Sequence, residues 1–326
     1  MSDLWSFLVS CWTSGTLLRS VCALVIIPTA AWLAIWCLKP GLARASSDPV
    51  WQAPLAAAAA SIPGLLLVIL ASAALLAGAD ASCRSTLAGQ VLFTIVVSIT
   101  AFSFVRALVL AVARLRAVDR LVRASTPAAG RLAQIAREAR MSVRVVNDDS
   151  TLCVLARILR PVVIISSGAL AWLSERELSA ALYHERGHAR RGDQAIAFAL
   201  SFLVDLLPLP ARDLVEMYGR ARELAADSHA LHAVEADDLA AALLRFVKPR
   251  RVLAGTCAFG GDDTVKARLH VLLRDSSPAR ISIRTRLTLS IALATVLAIG
   301  IAPAAATLIF PVPCDMHARV DDPGSM

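Results

Sequence analysis

Four long stretches without a charged residue set the first limit on what this chain can fold into. Ser20 to Leu38 is uncharged between Arg19 and Lys39, and Pro49 to Ala79 before Asp80. Ser85 to Val105 is uncharged before Arg106, and Leu287 to Cys314 after Arg286. Each covers the ~20 residues a helix needs to cross the hydrocarbon core of a bilayer. Buried core helices do not account for four such stretches in one chain, so a polytopic membrane protein is expected. The composition agrees: 57% of the 326 residues are hydrophobic and the mean hydropathy is +0.65, too apolar for an ordinary soluble domain. Pro28 and Pro63 fall inside the first two stretches, where a bundle tolerates the kinks they cause. A cleaved signal peptide is the other reading of the first stretch; its late start and the tryptophans near its end favour a retained span.

The expected plan is an N-terminal membrane domain over 1–116 with helices at about 20–38, 55–79 and 87–112. A central domain over 117–284 follows, and 285–326 holds a fourth membrane helix at about 288–310 with a short tail. Arg106, Arg114, Arg116, Arg120 and Arg123 follow the third stretch, and Arg274, Arg280, Arg284 and Arg286 precede the fourth. The positive-inside rule then places the central domain in the cytoplasm and both termini outside. The formal charge of +8 and the pI near 9.6 trace largely to these flanks, so their partner is the lipid bilayer and no direct nucleic-acid contact is expected. The seven cysteines contain no C-x-x-C pair, which argues against a cysteine zinc site. Cys83 and Cys314 share the outer side, and a disulfide between them is a hypothesis.

Within the central domain, Tyr183-His184-Glu185-Arg186-Gly187-His188 carries the H-E-x-x-H pattern. Ser174 and Glu177 form an S-x-x-E capping box upstream, so a helix is expected to start near Glu175. At 3.6 residues per turn His184 and His188 lie one above the other and can grip one metal ion. Glu185 sits a step round the helix, next to where a bound water would lie, as general base and later as acid to the leaving amine.

Such a site needs a third ligand. Glu223 and Asp227, four residues apart, fall in a helical run from about Val215 to His232. Glu223 as ligand would leave the fourth position of a zinc ion open to water, as catalysis requires, and Asp227 would hold the free ring nitrogen of a ligand histidine. The competing reading is a solvated acidic pair facing Arg220 and Arg222. The spacing H-E-x-x-H-x-x-G-x-x-H is not met, because position 194 is Gln194. His229 and His232 stand as spare candidates, at the helix end or against a substrate oxyanion.

Around these segments, Pro127 to Arg140 reads as a helix, and Ser142 to Val146 and Val162 to Ser166 as strands. The sheet either forms an edge for an extended peptide or only packs the zinc helix; both readings stay open. Ala195 to Pro210 is apolar but too short to span, which suggests a place at the membrane interface or against the spans. Ala236 to Val247 and Val265 to Leu273 read as helices, and Gly255 to Asp263 as a loop.

Three uncharged spans, then "RILRPVVIIS" (157–166), "ELSAALYHERGHARRGD" (177–193), "RELAADSHA" (222–230) and "DDTVKARLHVLL" (262–273), then a fourth span, resemble the BlaR/MecR type of bacterial integral-membrane zinc metallopeptidase. The resemblance implies a mainly α polytopic protein of the bacterial inner membrane, with four transmembrane helices and a cytoplasmic gluzincin-like α+β domain with a small sheet. It implies Zn2+ held by His184, His188 and Glu223, Glu185 as the catalytic residue, and a structural role for Asp193. It also implies cleavage of a regulatory protein such as a transcriptional repressor in signal transduction. Protein or peptide substrates and a second copy of the chain are the expected protein partners. Sensor members of the family carry a Ser-x-x-Lys nucleophile; Lys39, Lys248 and Lys266 have no serine three positions earlier, so direct beta-lactam sensing is not expected of these residues. The alternatives are an HtpX/Ste-type quality-control protease, which shares the zinc motif and the E-x-x-x-D helix, and a non-proteolytic membrane signalling scaffold.

Overall fold

A computed structural model describes residues 16–44, 49–78, 87–206, 212–246, 257–258, 262–273 and 283–309. The chain is mainly helical. Three long apolar helices come first: α1 (Thr16–Arg44), α2 (Pro49–Gly78) and α3 (Leu87–Ala124). Next come β1 (Thr126–Pro127), α4 (Gly130–Glu138), β2 (Val143–Val146), β3 (Cys153–Ala156) and β4 (Val162–Ser166). Five helices follow in pairs and singly: α5 (Ser167–Trp172), α6 (Glu175–Arg191), α7 (Asp193–Leu206), α8 (Arg212–Ala230) and α9 (Ala236–Arg245). Strand β5 (Cys257–Ala258), α10 (Asp262–Leu273) and α11 (Ile283–Ile309) complete it.

Among the described residues, three helices are long and apolar enough to cross a membrane, over Pro49–Ser72, Ser98–Ala124 and Ile283–Ala302. The first expected span is helical too, as α1, where the apolar run is the shorter Ile26–Leu42. Cys83 and Cys314 lie outside the described residues.

The fold divides into two compact units. The first takes in the described parts of Met1–Leu38, Ser61–Val105 and Thr288–Met326. Within it α2 buries Ile62, Leu66 and Leu70, one helical stripe at four-residue spacing. A Cβ on Gly300 of α11 would lie 2.6 Å from both Leu66 methyls, so the absence of a side chain there lets α11 approach α2. On α3, by contrast, Ile99, Phe102 and Val105 are exposed, the outward apolar face that lipid would cover.

The second unit covers Lys39–Ala60 and Arg106–Leu287. Its sheet has the order β1-β2-β4-β3-β5, with β2 and β4 parallel (Val143 opposite Val163) and the other pairs antiparallel. Every residue of β3 and β4 is buried. Cys153, Leu155, Val163 and Ile165 face the main core, with Leu178, Ala181 and Leu182 of α6. The alternate residues Val154, Ala156, Val162 and Ile164 face Val118 and Val122, at the end of α3. Burial on both sides is why these strands read as continuous apolar runs and not as alternation. It also explains why β3, in the sequence Cys153-Val154-Leu155-Ala156, gives no period-two signal.

Two expected boundaries shift. The helix read over Pro127 to Arg140 is confined to α4, because Thr126 and Pro127 pair with Val145 and Arg144 as β1. The segment read as an apolar interface piece is α7, and its C-terminal end is fastened to α3: Arg106 donates to the Asp205 carbonyl (2.7 Å) and Arg114 to the Asp205 carboxylate (2.6 Å).

Ile164 is fully buried between α3 and the sheet, whereas Leu159, in the β3–β4 connection, is 95% exposed. Ile164→Ala should therefore cost about 2–5 kcal/mol, and Leu159→Ala within about 0.5 kcal/mol of nothing, as read from thermal unfolding in detergent.

Candidate metal centre

Helix α6 begins as its sequence dictates. Ser174 Oγ accepts from the Glu177 N–H (3.3 Å) and the Glu177 carboxylate accepts from the Ser174 N–H (2.7 Å), closing the capping box. It ends at Gly192, whose φ of 66° is the left-handed conformation glycine adopts without strain. That turn starts α7 at once at Asp193, which brings the Asp193 carboxylate back to His188 one turn behind it.

Helix α8 packs against α6 through small residues, the most extensive contact between elements among the described residues. Ala221, Ala225, Ala226 and Ala230 are buried on α8, and opposite them stands Gly187, inside the H-E-x-x-H motif. A Cβ at Gly187 would lie 3.1 Å from Ala226 Cα and 3.2 Å from the Ala226 carbonyl oxygen. The backbones can come this close only because the motif has glycine there, and the closeness lets Glu223 reach both rings.

The resulting group is compact and buried. His184, His188 and Glu223 each offer a ligand atom, all within 4.8 Å of one another. The two Nε2 atoms are 3.1 Å apart, Glu223 Oε2 is 3.4 Å from His184 Nε2, and Glu223 Oε1 is 3.5 Å from His188 Nε2. Ligands held ~2.0–2.2 Å from one tetrahedral ion stand roughly 3.3–3.5 Å from each other, so these spacings are those of donors around a single ion.

The outer nitrogens are equally fixed. His184 Nδ1 is 2.8 Å from Asp227 Oδ1, and His188 Nδ1 is 2.7 Å from Asp193 Oδ2. Ionised carboxylates only accept, so each Nδ1 carries its hydrogen outward and each Nε2 lone pair points inward. Two lone pairs across 3.1 Å need a positive charge between them. The Glu223 Oε1 atom, buried and with no hydrogen bond among the described residues, faces the same space.

Charge bookkeeping leads to the same place. Glu185, Asp193, Glu223 and Asp227 are buried carboxylates. Three guanidiniums approach them: Arg191 on Asp193 (2.6 Å), Arg268 on Asp227 (2.6 Å) and on Glu223 (3.2 Å), and the half-buried Arg222 at 3.4 Å from Glu223. Burial disfavours a charged His188, but Glu223, Asp193 and Glu185 outweigh it and raise its pKa to about 9. Burial likewise opposes ionisation of Glu223, yet His188, His184 and Arg268 hold it well below the usual carboxylate range. Asp227 is lowered in the same way, against burial, by Arg268 and His184. A proton on His188 thus occupies the electrostatic place of a cation. Donor set, spacing and charge fit a metal ion, and the group could hold one.

The residues named from sequence come together. His184, His188, Glu223 and Asp227 form one cluster, and Glu185, fully buried, stands beside it on α6, its charge felt at both His188 and Arg268. The solvated-pair reading of Glu223 and Asp227 does not hold, since both are buried, although Arg222 does approach Glu223 as that reading foresaw. The spare histidines stay outside the group. Exposed His232 faces its own helix carbonyl at Ser228 (2.7 Å), and half-buried His229 has its pKa lowered by burial and then by Arg190, Arg186 and Arg191. Two contributors escaped sequence reasoning: the clamp role of Asp193, and Arg268 altogether. Arg268 had a readable signal, a lone arginine three residues after Val265 and four before Leu272 on the buried stripe of its helix.

No family model matches this chain, and no curated protein matches its sequence.

The raised pKa fixes the pH behaviour. In the metal-free protein a charged His188 adds stability in full below pH 6.5, and this is lost as pH rises through about 9. A metal ion must displace that proton, so zinc affinity measured by calorimetry should rise by about tenfold per pH unit from near neutrality and flatten above the His188 value. A pH-independent affinity would contradict the protonated site. Gly187→Ala should weaken the α6–α8 contact by about 1–3 kcal/mol, seen as a lower unfolding temperature.

Proposed function

We propose that this chain is a membrane-bound zinc metalloendopeptidase of the BlaR/MecR type, hydrolysing peptide bonds on the cytoplasmic side, and that its substrate is a regulatory protein such as a transcriptional repressor. In this reading α1 is the fourth span and the second unit is a gluzincin-like domain. The observation that carries it is Glu185, buried beside a group of two histidines and a glutamate. Among the described residues the group has three members, the catalytic pattern, whereas closed structural sites use four. The ordered motifs from Arg157 to Leu273 and the arginine flanks support the family and the sidedness.

His184, His188 and Glu223 would hold the ion. A divalent ion there supplies Lewis acidity, polarising the scissile carbonyl and lowering the pKa of water toward ~7. Glu185 accepts the proton from the attacking water and passes it to the leaving amine nitrogen. Asp227 and Asp193 keep the rings from turning, and with them the inward direction of both Nε2 lone pairs. The small sheet next to α6 suits a substrate bound in extended form, whose carbonyls then present themselves in regular order.

Glu185→Gln should retain about one zinc per chain while losing roughly 10²–10⁴-fold in peptide cleavage, and His184→Ala should lose both metal and cleavage. Undiminished cleavage by the Glu185 variant would overturn the assignment. Comparing the proteomes of cells carrying the native chain and the Glu185 variant would identify the substrate.

A further inference from the structure

We propose that Arg268, carried on α10, is the positioning residue of the metal centre, its guanidinium holding Asp227 and Glu223 in the geometry that lets the site grip an ion tightly. This rests on the metal-site reading above.

Arg268 is only 1% exposed, and it is the largest fully buried side chain among the described residues. A guanidinium cannot shed its charge, so it can be buried only where acceptors meet it. Here they do. Nε donates to Asp227 Oδ2 at 2.7 Å and Nη2 to Asp227 Oδ1 at 2.6 Å, a two-pronged grip. Nη1 donates to Glu223 Oε2 at 3.2 Å.

One side chain therefore touches the carboxylate offered to the metal and the carboxylate that aims His184. Glu223 and Asp227 are one turn apart on α8, and the planar fork spans that turn. By fixing both oxygens of Asp227 it sets the plane of that carboxylate, which keeps Oδ1 in line with His184 Nδ1 at 2.8 Å. A lysine could supply the charge but not the plane. Arg268 also holds Glu223 Oε2, the oxygen that stands 3.4 Å from His184 Nε2.

The carrier of this fork is a separate element. Helix α10 docks through Val265 and Leu272, which join the core formed with Leu239, Leu243 and Phe246. Arg268 lies between them on the same stripe. The site is thus assembled from α6 and α8 but set in geometry by one guanidinium from a third helix.

The test uses the full-length protein in detergent or nanodiscs. Zinc affinity is read by competition with a chromophoric chelator, and ligand geometry by the visible absorption of the Co(II)-loaded form. Arg268→Met should weaken zinc binding by about 10–100-fold and change the Co(II) spectrum. Arg268→Lys should recover part of the affinity and still show an altered spectrum. Val265→Ala, which thins the docking of α10 without touching either carboxylate, should lower the unfolding temperature and leave affinity and spectrum unchanged. Native affinity and spectrum in the Met variant overturn the inference while leaving the metal reading intact. So does the same result in the Lys variant, which decides the matter if the Met variant does not fold, and so does a Val265→Ala loss equal to that of Arg268→Met. A native chain that takes up neither zinc nor Co(II) overturns the metal reading itself.

Discussion

Burying several carboxylates between two helices is costly unless each meets a donor or a cation, because the energy of an uncompensated charge rises steeply as water is removed. The second unit meets this constraint residue by residue. Asp227 is gripped by Arg268, Asp193 by Arg191, and both also receive an imidazole N–H. What remains open is at Glu223, whose Oε1 has no hydrogen bond among the described residues and where a cation or a proton completes the balance. The polar contents of the domain are organised by that single deficit, and the chemical reading follows from where it falls.

Packing makes the deficit possible. A wider separation of α6 and α8 would admit water, and the carboxylates would behave as ordinary surface groups. Gly187 and the alanines of α8 remove the side chains that would hold the helices apart. The large side chains are placed elsewhere, at Leu155, Ile164, Ile165, Leu182 and Leu239, in the sheet and on the far sides of the helices.

The parts of this arrangement that are local in sequence were legible there. The capping box at Ser174, the pairing of His184 with His188 and the shared face of Glu223 and Asp227 follow from helical periodicity alone. Parts that depend on distant segments were not. β3 gave no alternation because both its faces are covered, one by α6 and the other by Val118 and Val122. β1 was absorbed into a helix because two residues carry no periodic signal, and its pairing depends on Val145 and Arg144. Arg268 lies 45 residues beyond Glu223, and no local rule links an arginine in one helix to carboxylates in another. Asp193 was nearer to being read: a glycine in the left-handed conformation directs the chain back, so the next side chain faces the turn just completed.

Helix α3 contains no proline, and Gly89, near its start, is its only glycine. The same uninterrupted rod that is apolar enough to cross a bilayer ends in Val118 and Val122, the residues that cover one face of the sheet. Val118 and Val122 lie against Val154, Ala156, Val162 and Ile164, so shortening either valine would bare part of an apolar face of the sheet that no other buried side chain of that cluster covers from the helix.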